Sequence, residues 1–274
     1  MTAALSPKSL GGRAFRVAVV AGLSLCAGLA CDVTIKDGDV SVRHSRGRAT
    51  GEWNRTYPLS PGGRFEITNS NGPIDIVAGP AGTVEVAAAM TATSMTDERA
   101  GELLRETKIE ERVSPDRVAL VTQLYRRGGN VEVSFKITVP PDAHVEATLN
   151  NDKLTADGLR GHIKAMVVNG ETELNGMRGT VDAASVNGPI SVKMAEVTGR
   201  VRVEGTNGRI SLEVPKDAKA TLNARSVNGG ITVTGLNTQE ASGRRIRNLE
   251  SQLNGGGPEL DVRITNGRIT IEGK

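Results

Sequence analysis

Cysteine is almost absent from this 274-residue chain: there are two, Cys26 and Cys31. Both lie in or at the end of an N-terminal apolar stretch. The rest of the chain therefore has no disulfide framework, no thiolate zinc site and no cysteine nucleophile. Aromatic residues are scarce too, with one Trp, two Tyr and three Phe. That argues against the stacking surfaces that hold single-stranded nucleic acid. No apolar run is long enough to span a bilayer as a helix. The longest, "VAVVAGLSLCAGLA", has fourteen residues, short of the roughly 20 that a spanning helix needs. Excess charge is also missing. The formal net charge is +3, and Lys8, Arg13 and Arg16 account for all of it. Past residue 30 the chain is neutral, so its high pI is no sign of a nucleic-acid partner.

What the N-terminus does contain is an export signal. A positive segment precedes a signal-length apolar run, which ends in "AGLAC". This resembles a bacterial lipobox, with small Ala30 before Cys31 and Gly28 where Leu is commoner. Residues 1–30 are read as a signal peptide and Cys31 as a lipidated N-terminus, the protein's link to a membrane. The polar, Gly-rich residues 31–52 read as a flexible tether. The folded domain is expected over 53–274, within a body large enough for one all-β domain.

Inside that domain one motif keeps returning: "ATLNNDKL", "MVVNGETEL", "ASVNGPISV", "EGTNGRISL", "RSVNGGITV" and "RITNGRITI". Its stations are Asn71, Asn151, Asn169, Asn187, Asn207, Asn228 and Asn266. From Asn151 the steps are 18, 18, 20, 21 and 38 residues, the last being two repeats with Asn248 near the missing midpoint. Positions four and six before each Asn are all apolar. Positions three and five after it are apolar except Thr172. Strand side chains alternate with period two. The pattern therefore reads as two short strands with a bend at Asn-Gly, both strands pointing their apolar set inward. Inward parity before the bend includes the Asn.

An 18-to-21-residue unit of two strands and two bends is one coil of a β-solenoid. The expected fold is all-β, a single-stranded β-solenoid (β-helix) of about seven coils. Coils spaced about 4.8 Å apart make a rod on the order of 30 Å long. Gly suits the bend because it takes φ > 0 without penalty. Stacked Asn151, Asn169, Asn187, Asn207, Asn228 and Asn266 are expected to form a structural amide ladder. Residues 93–142 break the period. "SMTDERAGELLRETKIEERV" predicts one helix over about 96–110, with Ser94 and Asp97 as its capping signal. "RVALVTQLY" and "NVEVSFKITV", joined by "RRGG", predict a hairpin. Regular repeats are expected over 143–274, irregular at 234–258.

The export signal, "VPPDAHVEATLNND", the "VNG-x-I" units and the closing "LDVRITNGRITIEGK" together resemble the bacterial putative-adhesin families. Among these they resemble especially the β-strand-repeat class called domain of unknown function 4097, over roughly residues 60–274. The resemblance implies a β-solenoid outside the cytoplasm and no established reaction.

The chain carries only weak signals of chemistry. Glu171 and Glu173 share an outward parity, with Asp182 on the adjoining strand, as an acid pair for glycoside hydrolysis or a calcium edge would need. Lys153, Lys193 and Arg209 hold comparable outward positions, so a mixed-sign solvated face accounts for all of them. His44, His144 and His162 are scattered along the chain with no triad or metal-ligand pattern. "RRGGN" and "NGGGP" do not fit a phosphate loop. No catalytic residue, metal site or cofactor is assigned. The expected role is a noncatalytic, lipid-anchored adhesion, binding or spacer module of the cell envelope, on the periplasmic side or the surface, with an envelope protein or glycan as partner. A carbohydrate-active enzyme on a β-helix scaffold and an envelope-stress sensor are the alternatives.

One expectation can be tested without a structure. Two or more acyl chains anchor a protein stably where one does not. Cys31→Ser should move the protein from the detergent phase to the aqueous phase, or leave its leader uncleaved. A wild-type protein already soluble without detergent would remove the anchor.

Overall fold

The computed structural model describes residues 31–36, 39–44, 47–124, 128–238 and 246–274. The signal peptide expected over 1–30 lies outside them. The chain divides into two units, Met1–Ser45 and Arg46–Lys274. In the first, β1 (Cys31–Lys36) pairs antiparallel with β2 (Asp39–His44). This corrects the flexible-tether reading of 31–52. That reading weighed polar composition above the alternating Val33, Ile35, Val40 and Val42 about an Asp-Gly pair, which is a hairpin signal.

The second unit holds the repeats. It opens with β3 (Gly47–Pro58), β4 (Arg64–Asn71), β5 (Ile74–Ala78) and β6 (Thr83–Ser94), so the domain begins six residues before position 53. Helix α1 (Asp97–Glu106) follows, then β7 (Lys108–Ser114), β8 (Arg117–Gln123) and β9 (Gly129–Val139). The repeats supply short pairs: β10 (His144–Asn151) with β11 (Leu154–Asp157), β12 (His162–Asn169) with β13 (Thr172–Met177), and β14 (Thr180–Asn187) with β15 (Ile190–Met194). Then come the long strands β16 (Val201–Val214) and β17 (Ala220–Thr234), short β18 (Asn248–Leu253) and long β19 (Glu259–Gly273).

Hydrogen bonding arranges these strands as two ribbons of one sheet. The first runs β7-β8-β4-β10-β12-β14-β16-β19-β17-β18. The second runs β3-β6-β9-β5-β11-β13-β15-β16, and β19 and β17 continue it. The long strands bend at Asn-Gly and serve both ribbons. Neighbours are parallel from β8 to β17 and from β9 to β17, and antiparallel at the ends. One apolar core lies between the ribbons. Every predicted apolar inward position is buried except Val233, which is half-buried, and Thr172 is fully enclosed. The fold is thus all-β, one helix aside, and solenoid-like.

Glycine at the bend is required by close approach. A Cβ at Gly170 would fall on the Asp152 carbonyl, one at Gly188 on that of Gly170, and one at Gly208 on that of Gly188. Each of these glycines also has positive φ, near +150°. Asp152 is the one station residue with a side chain there. It takes φ 106°, and its carboxylate accepts from the Lys153 amide at 2.8 Å.

Several expectations are corrected. The helix is capped by Thr96, whose hydroxyl accepts from Arg99 N, while Ser94 Oγ donates to Gly128 O. It stops at Glu106 because Thr107 is extended and opens the way to β7. β8 and β9 are not a hairpin. β8 stacks in parallel on β4 and β9 on β5, as one more coil, and the antiparallel partner of β8 is β7. Alternation alone cannot tell a hairpin from two faces of a coil. Asn248 is no ladder station: it starts β18, which caps β17 antiparallel. The bend also carries the Asn side chains out of the core, so Asn169, Asn187, Asn207, Asn228 and Asn266 are exposed rather than inward.

These features rank four substitutions in denaturant melts. Val203 is fully buried, so Val203→Asp should cost more than about 3 kcal/mol by burying an unpaired charge. Gly188→Ala should be comparably damaging. Asn207→Ala should cost about 1 kcal/mol, the scale of net hydrogen bonds that water can replace. Arg209→Ala should stay within about 0.5 kcal/mol. An Asn207→Ala melt as damaging as that of Val203→Asp would mean that the bend, not the core, sets stability.

Candidate functional site

The Asn stations form a continuous chain of side-chain hydrogen bonds. Asn169 Nδ2 donates to Asn151 Oδ1 at 3.2 Å, Asn187 to Asn169 at 2.9 Å and Asn207 to Asn187 at 2.9 Å. The next partner of Asn207 is Asn266, at 2.8 Å, and Asn228 then donates to Asn266, also at 2.8 Å. Spatial order therefore departs from sequence order, because β19 enters between β16 and β17. Asn151 itself donates to the Ser70 carbonyl. Asn71 stands apart and donates to Asn130 Oδ1 at 3.1 Å. With all bonds pointing one way and each amide engaged by its neighbours, the row stiffens a corner.

The proposed acid pair is occupied by a cation. Lys153 Nζ lies 2.8 Å from Glu173 and 3.7 Å from Glu171. Its hydrogen bond holds the Glu173 carboxyl below the usual carboxylate range and raises the Lys153 ammonium. Asp182 does not join them. It sits on β14 in the first ribbon, in register with Lys164, whereas Glu173 is on β13 in the second. Lys164 is in turn 2.6 Å from Glu146. Alternating charges on adjacent coils make a solvated ion-pair face, not an acid and base aimed at one bond. Lys193 and Arg209 are exposed on that surface.

Two histidines that look scattered in sequence are neighbours in space. His144 and His162 are 18 residues apart, one repeat, and open the stacked strands β10 and β12. Their rings meet edge to face, with centroids 6.1 Å apart. Partial burial, then the field of His144, holds His162 below the ordinary imidazole range. The spacing was visible in the sequence. Treating histidines singly, rather than modulo the repeat, hid it. His44 is on β2 in the other unit.

A groove of about 990 Å³ lies on the outer face of the first ribbon and runs from β10 to β18. Met166, Val168 and Val186 form its apolar floor and are 39 to 43% exposed. Towards β17 the lining turns charged. Glu204 accepts from Arg202 at 2.7 Å, and Asp261, nearly fully buried, is 2.8 Å from Arg263. Arg225 and Glu250 complete that end. Sequence reading missed this floor. The signal was the Val before the bend in "MVVNG", "ASVNG" and "RSVNG", an apolar residue at an outward position. Among the described residues no group of three or more His, Cys, Asp or Glu is arranged to hold a metal ion. No described helix is long and apolar enough to cross a membrane.

The sequence profile of the family described as Toastrack DUF4097 matches residues 63–272. Among solved structures, a putative cell adhesion protein from Clostridium sporogenes is 15% identical, with TM-score 0.45, covering 82% of this chain and 100% of that one. A putative adhesin from Bacteroides fragilis is 14% identical, with TM-score 0.37, covering 82% and 97%. A putative lipid binding protein from Parabacteroides distasonis is 11% identical, with TM-score 0.31, covering 80% and 96%. No curated protein matches the sequence.

The carboxylate face yields a direct expectation. Glu171→Gln combined with Glu173→Gln removes exposed ion pairs worth at most about 1 kcal/mol, so the denaturation midpoint should barely move. Wild type should release no reducing ends from envelope polysaccharides. Depolymerisation that disappears in the double variant would make the pair catalytic.

Proposed function

Because the chain belongs to the Toastrack DUF4097 family, a solenoid-like scaffold, we propose that it is a noncatalytic binding module of the cell envelope, anchored through a lipid on Cys31 and built of about seven stacked coils. The groove on the first ribbon is its binding face. One observation carries this reading: Met166, Val168 and Val186 are held open to solvent on a concave floor rather than packed away. A contiguous exposed apolar patch rimmed by polar groups is the usual mark of an interaction surface.

The chemistry of the lining favours a protein segment over a glycan. No aromatic side chain lines the groove, so there is no platform on which a sugar ring can stack. Aliphatic side chains fit Met166, Val168 and Val186, while Glu204, Asp261 and Arg263 at the β17 end are paired within the chain. Those ion pairs hold two of the groove's three carboxyls, Glu204 and Asp261, which weighs against an acid–base pair there. The amide ladder has a structural role here. It fixes the corner beside the groove, so that the floor is presented without a loss of order on binding.

Photo-crosslinking in intact envelopes tests the reading. A crosslinking residue at Val168 should give a discrete protein adduct, and the same probe at Arg209 should not. Met166→Glu should abolish the Val168 adduct without changing the melting transition, since the position is exposed. Adducts of equal yield at both probes, or none at Val168, would take the groove out of the function.

A further inference from the structure

We infer that His144 and His162 form a two-imidazole site for a divalent late transition-metal ion, Cu²⁺ foremost. This stands apart from the groove reading, because neither histidine lines that groove. The site is a consequence of the coil. Val145 is in register with Ile163, so the residues that precede them lie side by side on parallel strands, about 4.8 Å apart along the stack. Both side chains are on the outer face, His144 exposed and His162 half-buried. Their ring centroids are 6.1 Å apart.

A metal held by two imidazoles at about 2.0–2.1 Å per bond leaves their centroids roughly 4.5–6 Å apart, depending on the angle at the metal. The observed separation is close to the upper end of that range. The rings now meet edge to face, so chelation requires side-chain rotation that turns one nitrogen of each towards a common point, at outer-face positions that leave room for it.

The surroundings permit a cation. Arg64 is the neighbour of His144 on β4, and Arg117 stacks next on β8. Both arginines are drawn to Glu66, at 3.8 and 2.7 Å. Lys164 is drawn to Glu146 at 2.6 Å. On the far side, Thr180 is the neighbour of His162, and Asp182 follows two residues later on the same strand. Asp182 is in no ion pair among the described residues, though its register neighbours Lys164 and Arg202 offset part of its negative field. Imidazole suits Cu²⁺, Ni²⁺ and Zn²⁺, and affinity peaks at Cu²⁺ for a given nitrogen donor set. With two protein ligands, the remaining positions go to water or to a donor brought by a partner.

Titration of the tag-free mature chain with CuSO₄ alone tests the site. The titration is run at about pH 7.5, where protons compete little with a metal for imidazole nitrogen. One Cu²⁺ per chain should bind below about 100 µM, with an electron paramagnetic resonance spectrum showing coupling to two imidazole nitrogens. His144→Gln and His162→Gln should each weaken binding at least roughly tenfold and remove the two-nitrogen signature. His44→Gln should leave both unchanged. Should a variant fail to fold by circular dichroism, the wild-type spectrum decides: substoichiometric Cu²⁺ should broaden the His144 and His162 ring resonances and not that of His44. No binding below that concentration, or binding that survives loss of either histidine, overturns the inference.

Discussion

Everything in the main unit depends on one constraint: each coil sits on the next in register, backbone against backbone, at the Asn-Gly bend. The carbonyl of one station occupies the place where the next station's Cβ would be. Glycine follows from that contact, and the positive φ that glycine tolerates lets the chain turn there. Register follows too. Once Gly170, Gly188, Gly208 and Gly267 stack, the residues on either side can only meet their own equivalents. Apolar positions then meet apolar positions across the core, and Asn meets Asn along the corner. The hydrogen-bonded amides report this register and reinforce it. They do not create it, since they lie on the outside of the bend, where water competes for every bond.

A stack held this way has two open ends, and parallel strands leave unpaired edges that invite further chains. The ends are closed by changing strand direction. At one end β7 turns back on β8, and β3 and β6 turn back on β9. Glu111 of β7 accepts from the Tyr57 hydroxyl of β3 at 2.8 Å, which ties the two ribbons together. Burial and that carboxylate hold the Tyr57 hydroxyl protonated, well above its usual range. At the other end β18 caps β17. Sequence order and spatial order part here. β19 fills the slot between β16 and β17, in parallel with both. The C-terminal repeat is thereby bonded on its two edges instead of being left at the rim.

The sequence spelled out what is periodic and was silent about what is not. Inward positions were legible because each one recurs at every station, so a single core rule is stated seven times. The cap was not legible. Asn248 falls near the midpoint of a double step and still belongs to an antiparallel strand, because spacing records distance along the chain and not direction. β19 between β16 and β17 was hidden for the same reason: "RITNGRITI" fits any slot of the stack equally well. β8 and β9 alternate like a hairpin, yet each pairs with a strand 40 or more residues away in sequence. The helix was legible in kind, but its cap moved from Ser94 to Thr96, since several hydroxyls near a helix start compete for the same amides.

The same periodicity separates what the fold requires from what it leaves open. Inward positions and the bend glycine are constrained by contact with the next coil. Outward positions are not, yet register still gathers them into rows. Residues 18 to 21 apart become neighbours, so two substitutions in distant parts of the sequence can build one surface. Met166 with Ala184, Val168 with Val186 and His144 with His162 are such rows, each made by one repeat step. The ion-pair face of Lys153 and Glu173 is another, and it shows how the scaffold handles charge: opposite signs on adjacent coils, cancelled locally and held in water. Where a row departs from that habit, by being apolar and exposed or by placing two imidazoles together, packing and charge balance do not account for it. The rows that the core does not need are therefore the ones on which the proposed binding roles rest.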